Sequence, residues 1–150
     1  MRATIIGPGK KIDSLQNSVE RMGLSGIVNI CGAIPWGPEL FAKLDQANLF
    51  VLPSFTEGMP RALIEAMARG LPAVGSDVGG VKELLLEECR VTPRDYEALA
   101  EKIAEVIDDP ERLAMMSQAN FRKAVEYKLE IMNQRKMEFW QCIRKHTRFQ

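Results

Sequence analysis

Four short apolar runs, ATIIG (3–7), GIVNICG (26–32), NLFVLP (48–53) and PAVGS (72–76), are separated by stretches whose apolar residues recur at helical spacing. The runs are apolar on both sides of the strand, whereas a strand with one wet face would alternate apolar and polar residues. Strands buried on both faces, each followed by a helix, define a parallel sheet with helices on either side. The expected fold is therefore α/β: a Rossmann-like doubly wound parallel sheet. The intervening helices are read at SLQNSVERMGL, PELFAKLDQA, Pro60–Arg69 with Gly70 as its C-terminal cap, and VKELLLEE. After Thr92 no further strand is expected. PRDYEALAEKIAEVIDD, a helix opened by Pro110, and the tail LEIMNQRKMEFWQCIRKH all read as helical. Asp108-Asp109-Pro110 reads as a helix cap.

A chain of 150 residues suits a single domain. Twenty basic residues balance twenty acidic ones, which leaves no footprint for nucleic acid. Cys31, Cys89 and Cys142 lack metal-type spacing and read as reduced core thiols, and the lone His146 excludes a histidine-built metal site or an ordinary Ser-His dyad. The chemistry is left to carboxylates, backbone amides or the ligand itself. In the tail, Phe139, Trp140 and Ile143 need an apolar partner, either this domain's own sheet or something outside the chain.

The segment PSFTEGMPRALIEAMARGLP (53–72) joins the third strand to the third helix and carries Glu57 and Glu65 around a Gly-Met-Pro turn. Ligands of doubly wound sheets sit outside the carboxyl ends of the strands, where helices begin. Pro60 suits the first helical position, so the amides of Arg61, Ala62 and Leu63 are expected to face outward without partners and, with the helix dipole, to hold an anion. Gly58 removes a side chain where a phosphate would approach. A carboxylate accepts hydrogen bonds from neighbouring hydroxyls of a ribose or hexose. Glu57 and Glu65 flanking an anion cradle thus fit a nucleotide sugar. Plainer roles stand beside this one: Glu57 as a helix N-terminal charge, and Glu65 as a partner of Arg61 or Arg69. Gly79-Gly80 either approaches a donor sugar or only makes a tight turn, and Lys10 and Lys11 either reach a phosphate or sit on the surface.

FVLPSFTEGMPRALIEAMARGLPAVGSDVGGVKELL resembles the signature of the group 1 (family 4) retaining glycosyltransferases of GT-B fold. The likeness runs on through IIGPG, CGAI, TPRDYEALAEKI and DDPERLAMM, and includes an E-x7-E element. It implies the nucleotide-sugar donor-binding half of a two-domain enzyme. In that pattern Glu57 is the catalytic-site acid that contacts donor sugar hydroxyls, and Glu65 grips the ribose. The intervening turn, Gly58, Met59, Pro60, Arg61, Ala62 and Leu63, contacts the diphosphate or sugar through its amides (Pro60, which has no N–H, excepted), and Ala33 and Ile34 border the base. The implied reaction moves a sugar to an acceptor hydroxyl with retention, without a metal or cofactor. The implied setting is polysaccharide or lipid-linked glycan assembly in the cytoplasm, with the full enzyme peripheral at the inner membrane face.

The resemblance is incomplete. The acceptor domain and a basic pair expected upstream of Met1 lie outside the chain, and Glu87-Glu88-Cys89 replaces a glycine-containing turn. The chain is expected to be one half of an enzyme, inactive alone, whose partner is a missing N-terminal domain or a separate acceptor-domain subunit. Two alternatives differ in kind. One is a dinucleotide-binding domain built on GPGKKI, in which Ile12 stands where G-x-G-x-x-G needs its third glycine. The other is a non-catalytic interaction module.

Overall fold

The computed structural model describes residues 1–147. The chain divides into two compact units, Met1–Lys43 and Leu44–Gln150. In the first, β1 (Ala3–Ile6) pairs in parallel with β2 (Val28–Gly32), and the register slips between Ile5 and Ile6. Helix α1 (Ile12–Arg21) connects them and ends at Gly23, whose φ of 69° is the left-handed turn a glycine takes at low cost. Helix α2 (Pro38–Asp45) follows β2 and runs across the boundary between the units.

The second unit holds a three-stranded parallel sheet of order β3-β4-β5, with β3 at Phe50–Leu52, β4 at Ala73–Ser76 and β5 at Arg90–Val91. Central β4 is buried along its whole length, as a strand with neighbours on both edges and helices on both faces requires. Helix α3 (Arg61–Ala68) joins β3 to β4. It ends in a Schellman motif: Gly70 (φ 73°) donates its N–H to the Met67 carbonyl, and Leu71 donates to the Ala66 carbonyl. Short α4 (Val81–Leu84) and a single 3-10 turn at Glu87–Cys89 lead into β5. The core is built from Leu63 and Met67 of α3, Val74 of β4, Val81 and Leu84 of α4, Val106 of α5 (Tyr96–Ile107) and Met116 and Ala124 of α6 (Pro110–Val125). Asp109 caps α6 as expected, its carboxylate accepting the Arg112 N–H at 3.0 Å.

Two expectations are corrected, and one open alternative is decided. The VKELLLEE helix is one turn long, and β5 follows it where no strand was expected; two residues carry no readable periodicity. Of the three cysteines, Cys89 alone is a core residue, its thiol pushed up by burial, while Cys31 is half-buried and Cys142 exposed. The tail forms α7 (Leu129–His146), which buries none of its residues. Phe139 and Trp140 stay 59% and 53% exposed and meet each other edge to face at 5.7 Å, so they do not pack on this domain's own sheet. No helix among the described residues is long and apolar enough to cross a membrane.

Candidate functional site at the carboxyl edge of the second sheet

Because β3, β4 and β5 are parallel, the loops that leave their carboxyl ends share one edge of the second unit. These are 53–60 after β3, 77–80 after β4 and 92–95 after β5. The Glu57 corner belongs to the first of them.

Glu57 is half-buried, and its Oε1 accepts the Ser54 hydroxyl proton at 2.6 Å. A serine three residues before a glutamate can bond it across the turn, which fixes the carboxylate and leaves its second oxygen available. Ser54 was not singled out in the sequence, where the same residue reads as ordinary turn chemistry. Gly58 and Met59 are exposed, whereas Pro60 is buried. Pro60 is the N-cap of α3 and not its first helical residue: its φ of −76° and ψ of 98° are extended. Its carbonyl accepts from the Leu63 N–H at 3.1 Å and the Ile64 N–H at 3.2 Å. The amide of Leu63 is therefore not available to a ligand, and its side chain lies wholly in the core. Arg61 and Ala62 are exposed, and their N–H groups meet no acceptor among the described residues, as the first turn of a helix leaves them.

Glu65 has a side chain 26% exposed, one turn into α3. Its nearest cation is Arg61 at 4.0 Å, but that side chain is 86% exposed, so the pair is loose and well hydrated. Arg69 engages the Asp45 carboxylate through two N–H groups, and that contact lowers the Asp45 pKa from its ordinary value.

The Gly79-Gly80 turn resolves in favour of close packing. A Cβ on Gly79 (φ 40°) would stand 1.8 Å from the Glu57 carbonyl oxygen, and one on Gly80 would stand 2.4 Å from that of Gly58. The Gly80 N–H donates to the Gly58 carbonyl at 2.8 Å. The β4 loop thus clamps the main chain that carries Glu57. Beside it, Asp77 accepts from Lys82 at 3.2 Å and is also paired with Arg90. Burial alone would raise the Asp77 carboxyl, but the two cations outweigh it and hold it below its ordinary value.

A group whose pKa is lower when folded stabilises the fold above its unfolded value, about 3.9 for aspartate, and loses that contribution as pH falls through the lowered one. Asp77→Asn is therefore expected to destabilise at neutral pH and to converge with the parent in acid. Urea melts at neutral pH and at about pH 3 check this; a gap between the two proteins that widens in acid would contradict it.

Ala33 and Ile34 follow β2 in the first unit. In that unit the Gly7 N–H donates to the Gly32 carbonyl at 2.8 Å, and the Ile12 methyl would lie 3.7 Å from a Cβ on Gly32. The place of the missing third glycine is thus taken by a side chain packed at the end of β2.

The sequence profile described as "Glycosyl transferases group 1" matches residues 1–123. Among curated proteins, the chain is 31% identical over 153 residues to a Salmonella typhimurium protein, WcaL, whose name assigns it provisionally as a colanic acid biosynthesis glycosyltransferase. That match takes in 95% of this chain and 37% of the relative, so the chain spans little more than a third of the relative's length. Among solved structures, HepE of Anabaena in complex with UDP superposes with a TM-score of 0.84 at 24% identity, over 95% of this chain and 41% of that one. The C-terminal domain of a glycosyl transferase group 1 family protein from Francisella tularensis (LpcC) gives a TM-score of 0.72 at 17% identity, over 85% of this chain and 87% of that one. The two structures share the fold with this chain.

Proposed function

Because the chain belongs to the group 1 glycosyl transferases, we propose that it is the donor-binding part of a retaining enzyme that transfers sugar from a nucleoside-diphosphate sugar to an acceptor hydroxyl. The observation that carries the reading is the corner itself. Two half-buried carboxylates, Glu57 and Glu65, flank a helix start where two amides lack partners, at the carboxyl edge of a parallel sheet. Such an edge is where α/β sheets bind ligands.

In this reading the amides of Arg61 and Ala62, with the dipole of α3, hold the diphosphate; Leu63 contributes packing beneath them. Glu57, steadied by Ser54, accepts hydroxyls of the transferred sugar and is the catalytic-site acid. Glu65 accepts the ribose hydroxyls, Gly58 and Met59 offer exposed main chain to the ligand, and the buried Pro60 sets the start of the helix. The anion is met by amides and a helix dipole, so the reading needs no metal. One helix start offers at most about 2 kcal/mol to an anion. The remainder of the relatives' length is where further phosphate contacts and the acceptor site belong, as an attached domain or a separate subunit. The relative named for colanic acid biosynthesis supports a polysaccharide pathway; we place the whole enzyme in the cytoplasm, peripherally associated with the membrane.

Glu65→Ala is expected to weaken UDP binding by roughly 1.5–3 kcal/mol, the range for a hydrogen bond to a charged group, with little change in stability. Calorimetric titration of UDP into the parent and the variant tests it. Equal affinities, or a parent that ignores UDP and GDP at millimolar concentration, would end the donor reading.

A further inference from the structure

One buried polar atom of the second unit has no partner. Arg90 opens β5, and its Nε is shut off from solvent and meets no acceptor among the described residues. The side chain is 16% exposed and stands between Cys89 and Val91, both buried. A leucine there would leave no polar group to satisfy, and buried ion pairs are often no more stabilising than apolar residues of similar volume. Their better-attested use is to hold one arrangement over its alternatives. What Arg90 holds is Asp77: its Nη1 donates to the Asp77 Oδ1. The other oxygen of that carboxylate takes Lys82 at 3.2 Å.

Asp77 and Lys82 bracket the Gly79-Gly80 turn in sequence. The Asp77 main chain is already fixed, since its N–H donates to the Val91 carbonyl at 2.8 Å. Its carboxylate is not needed for that ladder. It ties the exit of β4 to β5 through Arg90 and to the start of α4 through Lys82. Between those ties stand two glycines, the residues with the most backbone freedom to lose. The turn they make packs on the Glu57 and Gly58 carbonyls. Glu65 and the free amides of Arg61 and Ala62 belong instead to α3, which Leu63 and Met67 anchor in the core. We propose that Asp77 and Arg90 are positioning residues for Glu57. The clasp they form with Lys82 holds the Gly79-Gly80 turn against the corner and so sets the carboxylate that receives the transferred sugar. This rests on the donor reading, in which Glu57 meets the sugar and Glu65 the ribose.

The test compares the 150-residue chain with its Asp77→Asn, Arg90→Leu and Arg90→Lys variants. Amide hydrogen exchange reads the turn without any ligand. The Gly80 N–H, bonded to the Gly58 carbonyl, is expected to exchange about tenfold faster in Asp77→Asn and Arg90→Leu, measured relative to Val74 of central β4. Calorimetry then compares UDP and GDP with UDP-glucose, UDP-galactose and GDP-mannose. The parent is expected to bind at least one of these nucleotide sugars more tightly than the bare diphosphate. Asp77→Asn and Arg90→Leu lose about tenfold in affinity for that nucleotide sugar and keep affinity for the bare nucleotide within about twofold. They loosen the turn without the clash that a side chain at Gly79 brings. Arg90→Lys, which keeps the charge, restores most of the sugar-dependent gain, whereas a packing role would be served better by leucine. Unchanged Gly80 exchange, equal losses for nucleotide and nucleotide sugar, no gain from any attached sugar in the parent, or an Arg90→Leu variant that binds as the parent does would each overturn the proposal. A parent that binds no nucleotide while Gly80 exchange still quickens in the variants would sink the donor reading and leave the clasp standing as the holder of the turn.

Discussion

Gly79→Ala is expected to destabilise the fold by about 4 kcal/mol, from overpacking of about 1–3 and backbone strain of about 1–3. The added methyl would stand 1.8 Å from the Glu57 carbonyl oxygen, a distance no contact tolerates, on a residue whose φ is 40°. The clash is with main chain, so no side-chain rotation relieves it. Either the β4 loop withdraws, breaking the Gly80 to Gly58 hydrogen bond, or the Glu57 turn moves. For a domain of this size the loss amounts to a melting temperature lower by roughly 10 °C. UDP binding is expected to fall with it even at temperatures where the variant is folded, because the turn that positions Glu57 is displaced. Thermal melts followed by circular dichroism measure the first effect, and a loss below about 1 kcal/mol would show that the two turns are not clamped together.

Leu63→Ala is expected to cost about 3 kcal/mol, within the range for truncating a fully buried leucine. Leu63 has no exposed surface and packs in the cluster that includes Met67, Val74 and Val81. The position lies two residues from Glu65, so the pair separates two kinds of effect on one helix. Leu63→Ala lowers the urea midpoint, whereas Glu65→Ala leaves it near the parent value and acts on nucleotide affinity. A near-neutral Leu63→Ala in chemical denaturation would mean that α3 is not anchored by that side chain. Any loss of UDP binding in this variant follows from movement of the helix start, since its own amide is bonded to the Pro60 carbonyl.

The alternation of apolar runs and helices carried the α/β class and four of the five strands, although burial on both faces holds fully only for β4 and β1 is largely exposed. β5 escaped: Arg90–Val91 is too short for any period, and its pairing partner, β4, is remote in sequence. At the corner, the acids and the helix start were legible from spacing. The bonding of the Leu63 amide was not, since it depends on whether Pro60 caps the helix or begins it, a difference of one residue. Gly79-Gly80 was visible as a pair but ambiguous. What decides its role is the Glu57–Gly58 main chain, more than twenty residues earlier in the chain. The exposed face of α7 follows from the same limit: helical spacing gives a stripe, and only packing says what covers it.

The hydrogen bond from Gly80 to Gly58 also bears on kinetics. With the two turns locked to each other as the chain folds, the Glu57 loop is already in place when a ligand arrives, and little ordering entropy is charged to the encounter. Differences in affinity among nucleotides should then appear in how long each stays bound, with arrival rates nearly alike.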